Sequence, residues 1–200
     1  VLHAGDGMKT GYLSDDWKKS LKRIVEVASE LKIEAWLHDE DRGPSGSAGG
    51  SVAADNRGFL PQALVWCGAV DTTDPDILEH VLAYTLTNAT GTPTLVTEKP
   101  SNLTGVGVFT VRTYDVGHNH YNGEQYTDLL NPAAVRAFID TTHEVYSKTF
   151  SYEIGEFLPG IITDGAMVNR TVNLFPGDDH APVSFPWTPG FPAHFHKLHG

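Results

Sequence analysis

A single cysteine in 200 residues rules out any disulfide within the chain, so stability has to come from packing and hydrogen bonding. Cations are scarce, with 14 Lys and Arg against 25 Asp and Glu and a formal net charge of −11. A phosphate backbone demands clustered Lys and Arg, so no nucleic-acid partner is expected, and a sugar or cation suits this balance better. No apolar run approaches the roughly 20 residues of a transmembrane helix, and no membrane partner is expected. The amino terminus also lacks the charged and apolar regions of a signal peptide. Repeats and low-complexity tracts are missing, and the Gly/Ser stretch at 43–51 is too short for a domain linker. What remains, 40% apolar residues at ordinary charge density, suffices for a sizeable core.

The most informative stretch is Trp36-Leu37-His38-Asp39-Glu40-Asp41-Arg42-Gly43-Pro44-Ser45-Gly46-Ser47-Ala48-Gly49-Gly50. A short apolar run enters three acidic residues and then a loop with little side-chain bulk, which describes an open site. Upstream, Ser14 caps a helix whose apolar residues Trp17, Leu21, Ile24, Val25, Ala28 and Leu31 keep helical spacing, and Ile33 to Leu37 read as a buried strand. Acid then stands at the carboxyl end of a strand, where α/β barrels keep their chemistry. The plainer alternative for Asp39, Glu40 and Asp41 is a solvated acidic turn.

A second unit runs from Tyr126 to Met167. Asn131 is a good N-cap with Pro132 at the first helical position, and Val135, Phe138, Ile139, Thr142 and Tyr146 share one face. Ile161 and Ile162 then lead to Asp164, a second acid at a strand end. His143 and Glu144 fall within the helix, where a structural contact with a neighbouring strand is the favoured role.

Taken in order, Gly11-Tyr12-Leu13-Ser14-Asp15-Asp16-Trp17, the Trp36-to-Gly50 run, Asp128-Leu129-Leu130-Asn131-Pro132, Phe138-to-Glu144, Pro159-Gly160-Ile161-Ile162-Thr163-Asp164 and Pro186-Trp187-Thr188-Pro189 resemble the α-L-rhamnosidase-type glycoside hydrolases and their uncharacterised relatives. The resemblance spans nearly the whole chain. It implies a (β/α)8 barrel, cleavage of a glycosidic bond by paired carboxylates, and calcium in some members. On it rests an α/β expectation: a partial or complete TIM-type barrel over 1–200, with parallel core strands near 33–38, 126–129 and 160–164, helices near 15–31 and 132–149, and a β-rich excursion at about 60–115. A complete barrel takes about 250 residues, so the sequence reads as part of a larger polypeptide.

Two departures qualify the resemblance. Relatives follow Thr-Asp with Glu-Pro, whereas Thr163-Asp164 is followed by Gly165-Ala166, and the aromatic that relatives carry before Pro-Ser-Gly is Gly43 here. Glycosidases need one carboxyl group to protonate the leaving oxygen and another to activate water or attack the anomeric carbon. The expected function is therefore a glycoside hydrolase-like protein, rhamnosides being the first guess, with Glu40 as general acid or base and Asp39 and Asp164 as orienting or metal-binding neighbours. Asp41, Ser45, His118, His120, Asp128 and Asn131 are the expected substrate contacts. The alternative is a non-catalytic carbohydrate-binding relative that has lost its second glutamate at Gly165.

Other features narrow little. Asp74-Pro75 with Ile77, Leu78, Val81 and Leu82 suggests a helix over 75–86, and the β-branched segments 92–96 and 106–112 suggest strands. Cys67 closes the apolar run Ala63-Leu64-Val65-Trp66 and reads as a buried structural thiol. His194, His196 and His199 raise a transition-metal site, with a solvated terminal segment favoured over it. Calcium would want oxygen donors, for which Asp39, Glu40, Asp41 and Asp128 are candidates without EF-hand spacing. Sequons at Asn88, Asn102 and Asn169, together with the resemblance, point to an extracellular or periplasmic protein.

Overall fold

The computed structural model describes residues 1–5, 7–67, 80–87, 89–114, 117, 121–168 and 183–200. They fall into two compact units, Val1–Leu60 with Asp115–Val168, and Pro61–Tyr114 with Asn169–Gly200.

In the first unit, α1 (Asp15–Glu30) starts where Ser14 caps it, its hydroxyl accepting from the Trp17 amide at 3.2 Å, and it buries Trp17, Leu21 and Val25. These meet Ala4, Ala35, Leu37, Tyr146, Phe150 and Leu158 in one apolar cluster. Strand β1 is only Leu37–His38. It pairs in parallel with β6 (Ile161–Ile162), and Leu2 forms a parallel bridge to Leu37. The short helix α2 (Ser51–Asp55) follows the glycine-rich loop. Further on, α3 (Pro132–Thr141) begins at Asn131, whose side-chain oxygen accepts from the Ala133 amide at 3.0 Å, and α4 (His143–Thr149) follows directly. The Tyr146 hydroxyl donates to the His38 carbonyl at 3.1 Å, fastening α4 to β1.

The second unit is a five-stranded antiparallel sheet with the order β4-β3-β5-β2-β7, formed by β2 (Gln62–Cys67), β3 (Val81–Thr87), β4 (Pro93–Val96), β5 (Gly107–Thr113) and β7 (Val183–Trp187). Residues alternate across it: Ala63, Val65, Cys67, Val108, Thr110 and Ser184 are buried, while Gln62, Leu64, Trp66, Phe109, Val111 and Trp187 are half-exposed. Such alternation is expected of a sheet with one covered face. Helix α5 (Phe191–His199) ends the chain with every residue exposed.

The barrel expectation is overturned. Parallel pairing among the described residues is confined to the two-stranded sheet, the larger sheet is antiparallel, and no barrel closes. The local causes are legible. Parallel strands are buried on both faces and need sustained apolar runs, but Ile33 is 56% and Trp36 38% exposed, leaving two residues to pair. The segment 126–129 is no strand, because the Asp128 carboxylate accepts from the Leu130 amide at 3.0 Å and turns the chain into α3. With much of 62–113 and 183–187 committed to the antiparallel sheet, too little chain remains for eight βα units. The helix expected over 75–86 is also corrected. Its first part lies outside the described residues, and Val81–Thr87 is a strand, as its β-branched and aromatic side chains favour.

Candidate functional site

The acidic run emerges from β1 and the glycine-rich loop closes over it. Glu40 is 1% exposed. Its Oε2 accepts from the amides of Gly46 (3.1 Å), Ser47 (2.8 Å) and Ala48 (2.9 Å) and from the Ser47 hydroxyl (3.2 Å). Its Oε1 accepts from the Asp41 amide at 3.0 Å and from the Gly49 amide. Successive backbone N–H groups thus form a nest around a carboxylate supplied by the chain itself. Both oxygens are engaged, and neither faces solvent.

Glycine is required where the loop approaches its surroundings. A side chain at Gly50, with φ +91°, would put its Cβ 2.3 Å from the Tyr121 carbonyl oxygen. At Gly46, with φ +134°, a Cβ would lie 2.8 Å from the Tyr126 hydroxyl and 3.0 Å from Leu129. Tyr126 explains that crowding: its buried hydroxyl donates to the Ser45 carbonyl and accepts from the Met167 amide at 3.2 Å. Burial pushes the Tyr126 phenol up to about 12, so it remains a neutral donor. Burial likewise raises Tyr12 and Tyr146.

Asp39, wholly buried, joins the loop to β6 and α4. Its Oδ1 accepts from the Ser45 hydroxyl at 2.6 Å, and its Oδ2 meets the Thr163 hydroxyl at 2.6 Å and His143 Nε2 at 2.9 Å. Burial alone would raise the Asp39 carboxyl, but hydrogen bonds from His143, Ser45 and Thr163 outweigh it and hold the group below its ordinary 3.8. An acceptor at Nε2 fixes the His143 proton there. The imidazole is about one-third exposed.

Ser45 continues the chain of contacts to Asp164. Its amide donates to the Asp164 carbonyl at 2.8 Å, and its hydroxyl oxygen accepts from the Asp164 amide at 2.9 Å. The Asp164 side chain is exposed, and no hydrogen bond to its carboxylate is seen among the described residues. Beside the loop, the Asn122 side-chain Nδ2 donates to the Asp41 carboxylate at 3.0 Å and to the Gly49 carbonyl at 2.9 Å, and the Arg42 guanidinium donates to Asn122 Oδ1 at 3.3 Å.

Of the residues expected to form the site, Asp39, Glu40, Asp41, Ser45 and Asp164 come together around one loop. Their roles divide differently from expectation. Glu40, cast as the acid or base, is the loop's internal anchor. Ser45 ties Asp39 to the backbone of Asp164, Asp128 shapes a turn, and Asn131 caps α3. His118 and His120 lie outside the described residues. Sequence reasoning missed Arg42, Asn122, Tyr126 and Thr163; the Asn122-Gly123 turn signal marks one of them, and nothing local marks Thr163.

Calcium does not fit the acidic cluster. The Glu40 oxygens are surrounded by N–H hydrogens that would repel a cation, and no group of three or more His, Cys, Asp or Glu among the described residues is placed to hold a metal. His194, His196 and His199 lie on exposed α5. Comparison with protein-family models, curated proteins and solved structures found no match to this chain.

Proposed function

We propose that this chain recognises a carbohydrate through the surface around Arg42, Asn122, His143 and Asp164, and that it lacks the paired carboxylates needed to hydrolyse the glycosidic bond efficiently. One observation carries this reading: both Glu40 oxygens are used inside the loop, so Glu40 cannot reach a sugar or exchange a proton with it. With glycine at 165, Asp164 is the carboxylate left facing solvent, and acid–base glycoside cleavage needs two. The loop instead presents a shaped rim. Arg42 and Asn122 supply planar donors and acceptors, and Asp164 accepts from sugar hydroxyls. Titration with methyl α-L-rhamnopyranoside and other methyl glycosides, followed by calorimetry, tests this. Saturable binding weakened by Asp164→Ala and Arg42→Ala supports it, and unchanged binding in both variants rejects it.

The Asp39–His143 pair favours a second reading, as a hydrolase. A buried carboxylate that fixes the tautomer of a partly exposed imidazole is an arrangement used for proton transfer. In that case aryl glycosides are cleaved by the unaltered chain, and His143→Ala abolishes the cleavage. Binding without turnover decides for the first reading.

A further inference from the structure

Of the three sequons, Asn88 and Asn169 lie outside the described residues, while Asn102-Leu103-Thr104 falls in the connection from β4 to β5 of the second unit. There the Leu103 carbonyl accepts from the Val106 amide at 3.1 Å, closing a reverse turn over Leu103-Thr104-Gly105-Val106. Gly105, with φ +71°, supplies the left-handed conformation that a type II turn needs at its third position. Leu103 is half-buried and packs against the cluster of Tyr84, Val106 and Val108, whereas its neighbours Asn102 and Thr104 are both exposed. The apolar middle residue thus holds the turn to the sheet, and the two polar residues that flank it stand in solvent. Asn102 Oδ1 accepts from the Thr104 amide at 2.9 Å. This bond occupies the acceptor end of the side-chain amide, and among the described residues no hydrogen bond is seen from Nδ2 or at the Thr104 hydroxyl. A Cβ built at Gly105 would meet nothing within 4 Å, so the space beside the turn is open.

We propose that Asn102 is an N-glycosylation site, the acceptor of an oligosaccharide carried on a lipid pyrophosphate in the lumen of a secretory pathway. The transfer is a displacement at the anomeric carbon of the carried sugar. Asn102 Nδ2 forms a bond to C1 and the C1–O bond to the pyrophosphate breaks. The lipid pyrophosphate leaves with the bonding electrons, and the transferring enzyme takes up the proton that the amide loses. The acceptor pattern is Asn followed two residues on by Ser or Thr, with any residue but Pro between, and Leu103 meets that condition. Recognition further needs a nitrogen and a hydroxyl that no internal bond holds, which Asn102 and Thr104 supply. A bulky, hydrated glycan also has to project from the surface, and the open space beside the turn accommodates it. The site stands on residues separate from those of the proposed loop surface, and it holds or fails independently of that reading.

The test translates the whole chain behind a cleavable signal in the presence of endoplasmic-reticulum microsomes. The protease-protected product is read by electrophoresis before and after endoglycosidase treatment. With Asn88→Gln and Asn169→Gln in place, one endoglycosidase-sensitive mobility step should remain. Adding Asn102→Gln or Thr104→Ala to that background should abolish the step, and adding Thr104→Ser should keep it. Because the Thr104 hydroxyl is exposed and makes no hydrogen bond among the described residues, its removal should leave the unfolding midpoint unchanged, as circular dichroism checks. Loss of the step in Thr104→Ala then reports recognition of the sequon rather than damage to the fold. Mass spectrometry after amidase release should find the modified asparagine converted to aspartate in the peptide that contains position 102. A protease-protected chain that shows no step in the Asn88→Gln/Asn169→Gln background overturns the proposal, as does a step that survives the addition of Asn102→Gln. A glycosylated chain that unfolds several degrees below the unmodified one overturns the placement of Asn102 in open space.

Discussion

Glu40→Gln separates an anchor from a catalyst. The carboxylate accepts from five backbone amides and one hydroxyl, and a glutamine side chain has one acceptor oxygen and one NH2 group of the wrong polarity. In the less damaging orientation the NH2 replaces Oε1, so the Asp41 and Gly49 amides lose their acceptor and face another donor. In the other orientation four bonds are lost. Hydrogen bonds to a charged group contribute about 1.5–3 kcal/mol each, and a buried donor left unmatched costs about 1–3 kcal/mol. Two losses, one of them at the partly exposed Gly49, therefore amount to about 3 kcal/mol. For a chain of this length, that is a fall of roughly 6–12 °C in the unfolding midpoint. Thermal unfolding is followed by far-UV circular dichroism and by the fluorescence of Trp17 and Trp36 in the first unit. Ser47→Ala, which removes only the hydroxyl contact, should cost about 1 kcal/mol and serves as the scale. A Glu40→Gln protein that melts within about 1 °C of the parent would falsify the anchoring role. If that protein also lost a glycoside-hydrolase activity present in the parent, Glu40 would be a catalytic residue after all.

Gly165→Glu adds a second carboxylate beside the exposed Asp164, and so tests whether a missing carboxylate is what limits cleavage. Its Cβ would meet Pro44 at an ordinary 3.5 Å, and the cost is the φ of +61°, about 1–2 kcal/mol; a folded variant should cleave an aryl glycoside at least about tenfold faster than the parent, and equal rates across rhamnosides and other glycosides reject the reading that a second carboxylate is what this surface lacks. Asp39 is held below its ordinary 3.8 in the folded chain, so its contribution to stability is complete above that value and is lost as pH falls through the lower folded value. Urea midpoints should therefore decline on acidification below about pH 4, less steeply in Asp39→Asn, and parallel declines in the two proteins refute the link. Gly50→Ala should destabilise the loop by more than about 2 kcal/mol, because the new Cβ would sit 2.3 Å from a backbone oxygen that cannot swing aside; hydrogen exchange of the 46–49 amides would rise, and unchanged protection contradicts the predicted approach.

Local signals were read well from sequence, and long-range closure was not. Ser14 and Asn131 cap the helices they announce, because capping involves atoms within three residues. The strands near 92–96 and 106–112 appear as Pro93–Val96 and Gly107–Thr113, since β-branched side chains select extended backbone wherever they sit. The barrel failed at the step that local pattern cannot supply. An apolar segment such as Ile33 to Leu37 becomes a core strand only if partners arrive on both edges, and here a two-residue strand meets Leu2 and Ile161–Ile162. The site shows the same division. Three acids beside a glycine-rich loop signalled a special segment, but not the direction in which the carboxylates point. Successive amides at 46–49 turn inward to form a nest, and the carboxylate six residues before it fills that nest at short range. A free carboxylate and a loop rich in unpaired N–H groups each satisfy the other more cheaply than a ligand could, so adjacency in sequence, which first suggested catalysis, is also what removes Glu40 from the surface.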